Sequence, residues 1–338
     1  MSKRKLTRRQ TWRGEKIQEE KAARVQKKES GISTLLQAGE LGAETAGRVI
    51  AHFGSLVEIE ATQGELQGQR YRCHLRANLG SLVTGDNVVF RPGPETNGIH
   101  SGVVEMVQER QSELSRPNPY NEIKPVAVNI DFIVLVIAPE PEAHANLIDR
   151  YLVAAENCGI EPIILLNKTD LINDSNRDHF IKLLHSYEQL GYRTLRVCSQ
   201  DESSLGELKE FLNGRTTVFV GQSGVGKSSL IGTLLPGEEL KVGSLSENTR
   251  KGKHTTTTAR LYHFPAGGDL IDSPGIREFG LWHMSADDVL YGFRELRPLA
   301  GYCRFRDCAH EQEPGCALRD AVKKGDVSER RFESYRRI

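Results

Sequence analysis

Residues 217–235 read TVFVGQSGVGKSSLIGTLL, and this stretch decides the fold. A short β-branched and aromatic run, 217–220, has the composition of a buried strand. It leads directly into Gly221-Gln222-Ser223-Gly224-Val225-Gly226-Lys227-Ser228-Ser229, and the apolar-rich run 230–235 continues as a helix. A glycine-rich loop between a strand and a helix N-terminus lets several backbone N–H groups converge on one anion, because glycine tolerates backbone angles closed to other residues. The pattern is a phosphate-binding loop. Lys227 is placed to reach β- and γ-phosphate oxygens, and the Ser228 hydroxyl to ligate Mg²⁺.

Upstream, the apolar run 162–166 ends in Asn167-Lys168-Thr169-Asp170. This tetrapeptide selects the base. A carboxylate at Asp170 accepts hydrogen bonds from both N1–H and the 2-amino group of guanine, a pairing adenine cannot offer. Asn167 is expected to tie the loop to the phosphate loop, and the Lys168 stem to cover the purine face. Val197-Cys198-Ser199 ends the next apolar run and would bring backbone N–H groups, Ser199 among them, near guanine O6.

Downstream, Asp272-Ser273-Pro274-Gly275 follows the apolar pair 270–271. In a DxxG element of this kind Asp272 holds Mg²⁺ through water and the Gly275 N–H senses the γ-phosphate. Between the two motifs lies Gly252-Lys253-His254-Thr255-Thr256-Thr257-Thr258, a segment able to supply a Mg²⁺-ligating hydroxyl, from either Thr257 or Thr256. The residue after Gly275 is Ile276, which has no polar atom to orient a water molecule. His254 is the nearest substitute in sequence. Slow intrinsic hydrolysis, with His254 as the catalytic candidate, is therefore expected.

The base-reading elements precede the phosphate loop, the reverse of the order in ordinary small GTPases, so the chain is circularly permuted. From 132 to 220, apolar strands alternate with helical patterns, the signature of a doubly wound α/β domain with a buried parallel sheet. Before it, β-rich runs at 48–53, 56–61, 69–75, 87–91 and 102–109 suggest a five-stranded OB-type barrel, with Pro92-Gly93-Pro94 as a turn and 115–125 as a linker. The expected organisation is a basic arm (1–42), a barrel (43–113), a permuted GTPase domain (114–284) and a small helical metal-binding domain (285–338).

That last domain holds Cys303, Cys308, His310 and Cys316, three thiols and an imidazole within fourteen residues. The set suits a closed, structural tetrahedral zinc site, with Pro314-Gly315 supplying a turn. Cys73, Cys158 and Cys198 are scattered and read as buried thiols. The formal net charge of the 338-residue chain is zero, but residues 1–30 hold eleven Lys/Arg against four Glu, so the arm carries about +7. Such an arm suits nucleic-acid phosphates, the alternative being a solvated tail without a partner. The longest strongly apolar run, 132–138, is too short to span a bilayer, and no signal-peptide core is present, which places the expected site of action in the cytoplasm.

A basic arm, a small barrel, a permuted GTPase and a Cys₃His knuckle, in that order, resemble the RsgA (YjeQ) family of bacterial small-ribosomal-subunit-dependent GTPases. The resemblance rests on 221–229 with 167–170 upstream, His254-Thr255-Thr256-Thr257, 272–275 followed by Arg277-Glu278-Phe279-Gly280-Leu281, and the Cys303/Cys308/His310/Cys316 set. Cys198-Ser199-Gln200 departs from a base-loop pattern that usually ends in Ser-Ala. The resemblance implies a monomeric enzyme that hydrolyses GTP to GDP with Mg²⁺ and carries one Zn²⁺. It also implies binding to the 30S subunit and its 16S rRNA through barrel and knuckle, with no DNA or membrane partner, and a role late in subunit maturation. The rival readings are a permuted GTPase of large-subunit assembly and an RNA-binding scaffold with little turnover.

Overall fold

The computed structural model describes residues 41–53, 56–76, 78–96, 98–117, 122–237, 259–272 and 284–338. They fall into two compact units, one ending at Arg110 and the other beginning at Gln111.

The first unit is a five-stranded barrel of β1 (Thr45–Phe53), β2 (Leu56–Ala61), β3 (Arg70–Leu75), β4 (Asn87–Thr96) and β5 (Ile99–Val107). Its strand order is β1-β2-β3-β5-β4, and β4 pairs back onto β1 to close it, the connectivity of an OB-type fold. Only β3–β5 is parallel. Period-two alternation sends Tyr71, Cys73 and Leu75 inward while Arg70 and Arg72 face solvent, and Val49, Ile59, Phe90 and Val104 complete the core. A register shift between Val49 and Ala51 lets β1 bend from one partner to the other. Gly47 makes closure possible, because a Cβ there would lie 2.5 Å from Ile59 and 2.8 Å from the Phe90 ring. Pro92-Gly93-Pro94 is not the turn the sequence suggested. The strand runs through it to Thr96, and a register irregularity between Pro92 and Glu95 absorbs the missing N–H donors.

The second unit opens with a hairpin, β6 (Glu113–Pro117) and β7 (Ile123–Val128), where a linker was expected. Buried Leu114, Ala127 and Val128 give these strands something to pack, and Pro125 falls at the register shift, so its missing N–H costs no ladder bond. The α/β core follows as β8 (Phe132–Ile137), α1 (Ala145–Asn157), β9 (Glu161–Leu166), α2 (Arg177–Glu188), β10 (Arg193–Arg196), α3 (Gly206–Leu212), β11 (Thr216–Val220), α4 (Lys227–Leu234), β12 (Arg260–His263) and β13 (Asp269–Asp272). Sheet order is β10-β9-β8-β11-β13-β12, parallel except for β12 at the edge. Ile133 to Ile137 and Val218 to Val220 are all buried, as strands covered on both faces must be. Ala138, Asn167, Val197 and Gly221 therefore emerge, and Asp272 ends its strand, along one edge of the sheet, where doubly wound folds bind ligands.

Helices α5 (Ala286–Gly292), α6 (Ala317–Lys324) and α7 (Glu329–Arg337) complete this unit. A reciprocal Ser285–Asp288 capping box starts α5. Phe293, Leu296, Leu318, Val327 and Phe332 share one core with Val153 of α1. Gly292 permits the close approach, since a Cβ there would meet Val153 at 2.5 Å. Beside it Arg331, 1% exposed, pairs with Asp149 of α1 and Glu295, stacks over Phe293, and is backed by the Tyr187 hydroxyl donating to Asp149. No helix among the described residues is long and apolar enough to cross a membrane.

Candidate functional site

The loop between β11 and α4 takes its shape from glycines in the left-handed region. Gly221, Gly224 and Gly226 have φ of 137°, 85° and 90°. A Cβ at Gly221 would stand 2.3 Å from the Val136 carbonyl oxygen, and one at Gly226 would stand 2.4 Å from Asn167 Nδ2. Val225 points into the core and anchors the loop. The Lys227 ammonium donates to the carbonyls of Gly221 and Gln222, both at 2.6 Å, folded over the loop it would share with a phosphate. Ser228 is half-buried in the first turn of α4 and Ser229 is exposed.

Asn167 joins the loops of this edge. It is fully buried; its Nδ2 donates to the Val225 carbonyl at 3.0 Å, its Oδ1 accepts from Ser199 N–H at 3.1 Å, and its own N–H donates to Ile137. Three loops are thus held by one amide. Lys168, in the left-handed region at φ 58°, extends its ammonium to the Glu140 carbonyl at 2.8 Å. Thr169 N–H donates to Val197, and Asp170 lies exposed in the turn Thr169–Leu171. Its Oδ1 accepts from the Cys198 thiol at 3.1 Å. Asp272 ends β13, two strands from β8. His254, Thr256, Thr257 and Gly275 lie outside the described residues, as does the basic arm to residue 40.

Sequence reasoning missed the loop after β8. Gln222 donates to the Pro141 carbonyl at 2.7 Å, and Lys168 donates to Glu140, so this loop braces both the phosphate loop and the base loop. Its signal was present in Pro139-Glu140-Pro141, directly after the most apolar strand of the chain.

The second cluster brings the ligand atoms of Cys303, Cys308, His310 and Cys316 within 4.8 Å of one another. Cys303 Sγ lies 3.6 Å from His310 Nδ1 and 4.0 Å from Cys316 Sγ, and His310 Nδ1 lies 3.4 Å from Cys316 Sγ. Tetrahedral neighbours around an ion with bonds of about 2.3 Å to sulphur and about 2.0 Å to nitrogen sit roughly 3.5–3.8 Å apart, so the residues fit such an ion. The Arg304 N–H to Gly315 carbonyl bond, 3.0 Å, draws the two ends of the segment together. Glu313 organises the middle: its carboxylate accepts from the N–H groups of Ala309, Glu311 and Gln312, and backbone donors, its own first, hold its pKa below the ordinary value. Desolvation, then the neighbouring Cys303 and Cys316, push the Cys308 thiol up to about 11 against an opposing His310 backbone bond. Desolvation also lowers His310. A bound ion therefore displaces thiol protons.

Comparison with known proteins gives concordant matches. A model of the RsgA GTPase family covers residues 107–282. The small ribosomal subunit biogenesis GTPase RsgA of Ectopseudomonas mendocina is 59% identical over 338 residues, spanning 100% of this chain and 97% of that protein. Its counterpart in Pseudomonas aeruginosa is 57% identical, again over 100% of this chain and 97% of that protein. Among solved structures, YjeQ from Thermotoga maritima aligns with a TM-score of 0.69 and 31% identity, covering 87% of this chain and 96% of that one. YloQ, a circularly permuted GTPase, aligns at 0.67 and 29%, covering 87% and 93%.

Proposed function

Because this chain belongs to the RsgA GTPase family, we propose that it hydrolyses GTP to GDP and phosphate in the biogenesis of the small ribosomal subunit, acting on the 30S particle late in maturation. The observation that carries the reading is the Asn167 amide, which binds a phosphate loop, a base loop and a third loop into one cradle. In this reading Asp170 selects guanine, Lys168 covers the purine, Ser199 and its neighbours approach O6, and the N–H groups of 221–229 with Lys227 hold the phosphates. Ser228 and Thr257 or Thr256, with Asp272 acting through water, would offer oxygen donors suited to Mg²⁺, which would supply charge neutralisation at the β- and γ-oxygens. Gly275 reads the γ-phosphate, and His254 orients the attacking water.

The same reading assigns Zn²⁺ to Cys303, Cys308, His310 and Cys316, because three sulphurs and one nitrogen at tetrahedral spacing leave no open position for chemistry. Its role is to hold the knuckle folded. We divide the chain into an arm (1–42), a barrel (43–113), a GTPase domain (114–284) and a knuckle domain (285–338). The barrel, knuckle and arm contact 16S rRNA, and the protein works as a cytoplasmic monomer. Steady-state GTP hydrolysis, measured alone and with purified small or large subunits, tests the proposal. Strong stimulation by the small subunit alone is the expected result; stimulation by the large subunit, or by neither, would overturn it. His254→Ala should keep GTP and subunit binding while losing most of the stimulated rate.

A further inference from the structure

A concavity lies between helices α3 and α4 and the turn that joins β12 to β13. It encloses about 280 Å³ and is lined by Lys209 and Leu212 of α3, Thr233 and Leu234 of α4, and Phe264 and Gly267 of the turn. Two glycines fix the shape of that turn. Gly267 and Gly268 have φ of 95° and 87°; a Cβ would stand 2.2 Å from Asn213 Oδ1 at the first and 2.0 Å from the Leu212 carbonyl oxygen at the second. The Phe264 N–H donates to the Gly268 carbonyl at 2.9 Å and the Gly267 N–H to the Phe264 carbonyl at 2.8 Å, so the turn is wedged against the end of α3. Leu212, Leu234 and Phe264 are buried beneath the concavity, whereas Pro236, Pro265 and Ala266 line it from exposed positions.

Size and charge narrow the occupant. Sites for small molecules and cofactors enclose about 300–1,000 Å³, so this apolar-walled space falls short of most of them and suits one large side chain. The cation among its described lining residues is engaged, since Lys209 Nζ donates to Glu202 at 2.9 Å. Residues 201–213 hold Asp201, Glu202, Glu207 and Glu210 against that single lysine. Arg193 reaches Glu207, at 4.0 Å, which leaves three carboxylates to one ammonium. Such a rim repels phosphate and attracts cations. We propose that the concavity docks a basic peptide segment of a protein partner, whose aromatic anchor enters between α3, α4 and the β12–β13 turn while its cations meet the acidic rim. The charge sign separates this surface from one that binds RNA.

Fluorescence anisotropy on the full-length chain tests this with three labelled probes: a short lysine-rich peptide with one central tryptophan, the same peptide with alanine in its place, and oligouridylate. The tryptophan peptide should bind at least about tenfold more tightly than the alanine peptide. Ala266→Trp, which fills the mouth, should remove that preference, and Pro265→Trp repeats the block from the neighbouring position. Glu202→Lys, which reverses the charge of the rim, should weaken both peptides severalfold, and less so in high salt. All three positions are exposed, and an unchanged GDP affinity on the same samples verifies the fold. Oligouridylate binding should be indifferent to every variant. Equal affinity for the two peptides, or a preference that survives both blocking variants, would reduce the site to surface charge. Absence of peptide binding would remove it as a docking site, and loss of oligouridylate binding on blocking would assign the concavity to RNA instead.

Discussion

The nucleotide cradle hangs on five parallel strands whose central members are inaccessible to solvent, whereas residues 300–316, which carry the cysteine cluster, contain neither helix nor strand. In the cradle, backbone angles are fixed by glycines wedged against neighbouring strands and by one buried amide. The cluster has instead a few backbone bonds, the Glu313 carboxylate and four ligand side chains, and His310 itself sits at a positive φ of 61°. A non-glycine residue in that region is held there only when its surroundings demand it. The cradle is therefore shaped by its own packing, while under the proposed zinc assignment the cluster would draw much of its stability from an ion.

The sharpest way to break this comparison is to remove a metal ligand. Cys316→Ser should abolish stable zinc retention and unfold the segment around it, because binding free energy at a structural site, on the order of 10 kcal/mol, is also folding free energy. GDP affinity should remain within about twofold of the parent, since none of the cradle's bonds pass through the cluster. Metal content by elemental analysis, with GDP titration on the same sample, checks both halves; a collapse of nucleotide binding would show the two sites to be one cooperative unit.

The next largest effect is expected where the C-terminal helices meet α1. Arg331→Met removes the cation that Glu295 and fully buried Asp149 share, leaving Asp149 with the more distant Arg330 at 3.5 Å and the Tyr187 hydroxyl. Breaking a buried ion pair from one side costs about 3–5 kcal/mol. Chemical denaturation should show that loss, and Arg331→Lys should recover little of it, since one ammonium cannot replace a fork that serves two carboxylates. A loss below about 1 kcal/mol would mean that the apolar contacts around Phe293 and Val153 carry the interface alone.

Within the cradle the expected effect is smaller in stability and larger in binding. Asn167→Ala orphans the buried Val225 carbonyl and the Ser199 N–H, at a cost of about 1–3 kcal/mol. Nucleotide affinity should fall by at least tenfold because three loops lose a common reference. Thermal unfolding together with GDP titration separates the two numbers. Smallest of all, Gln222→Ala removes one exposed bond to Pro141 and should change stability by about 0.5 kcal/mol, with a modest loss of GDP affinity. A loss as large as that for Asn167 would make the loop after β8, rather than the amide, the main brace.

Much of this architecture was legible in the chain because its signals are local. The phosphate loop is nine consecutive residues in which glycine positions dictate backbone angles, and the switch from period-two runs to alternating strands and helices separates barrel from α/β core without reference to any contact. The cluster's spacing likewise announces a tetrahedral ligand set within fourteen residues. Within the linker expected at 115–125, residues 115–117 and 123–125 belong to paired strands, because a strand's existence depends on a partner and a buried face that composition does not reveal. For the same reason Pro92-Gly93-Pro94, a turn by its own chemistry, is carried through as strand once Gly102 lies opposite Pro92.

The proposed chemistry comes from the sequence alone: which residues would bind phosphate, which would read the base, which would hold an ion, and that the order of the motifs is permuted. The tertiary structure decided how those groups are held. The pairing of β4 with β1, the order β10-β9-β8-β11-β13-β12, the contact of Cys198 with Asp170 and the bridge from Arg331 to Asp149 join residues 28 to 182 positions apart or whole strands. Such contacts form because closing a long loop costs entropy that only burial of a complete core repays. No local pattern encodes that balance, so which distant groups meet emerges only when the chain is packed.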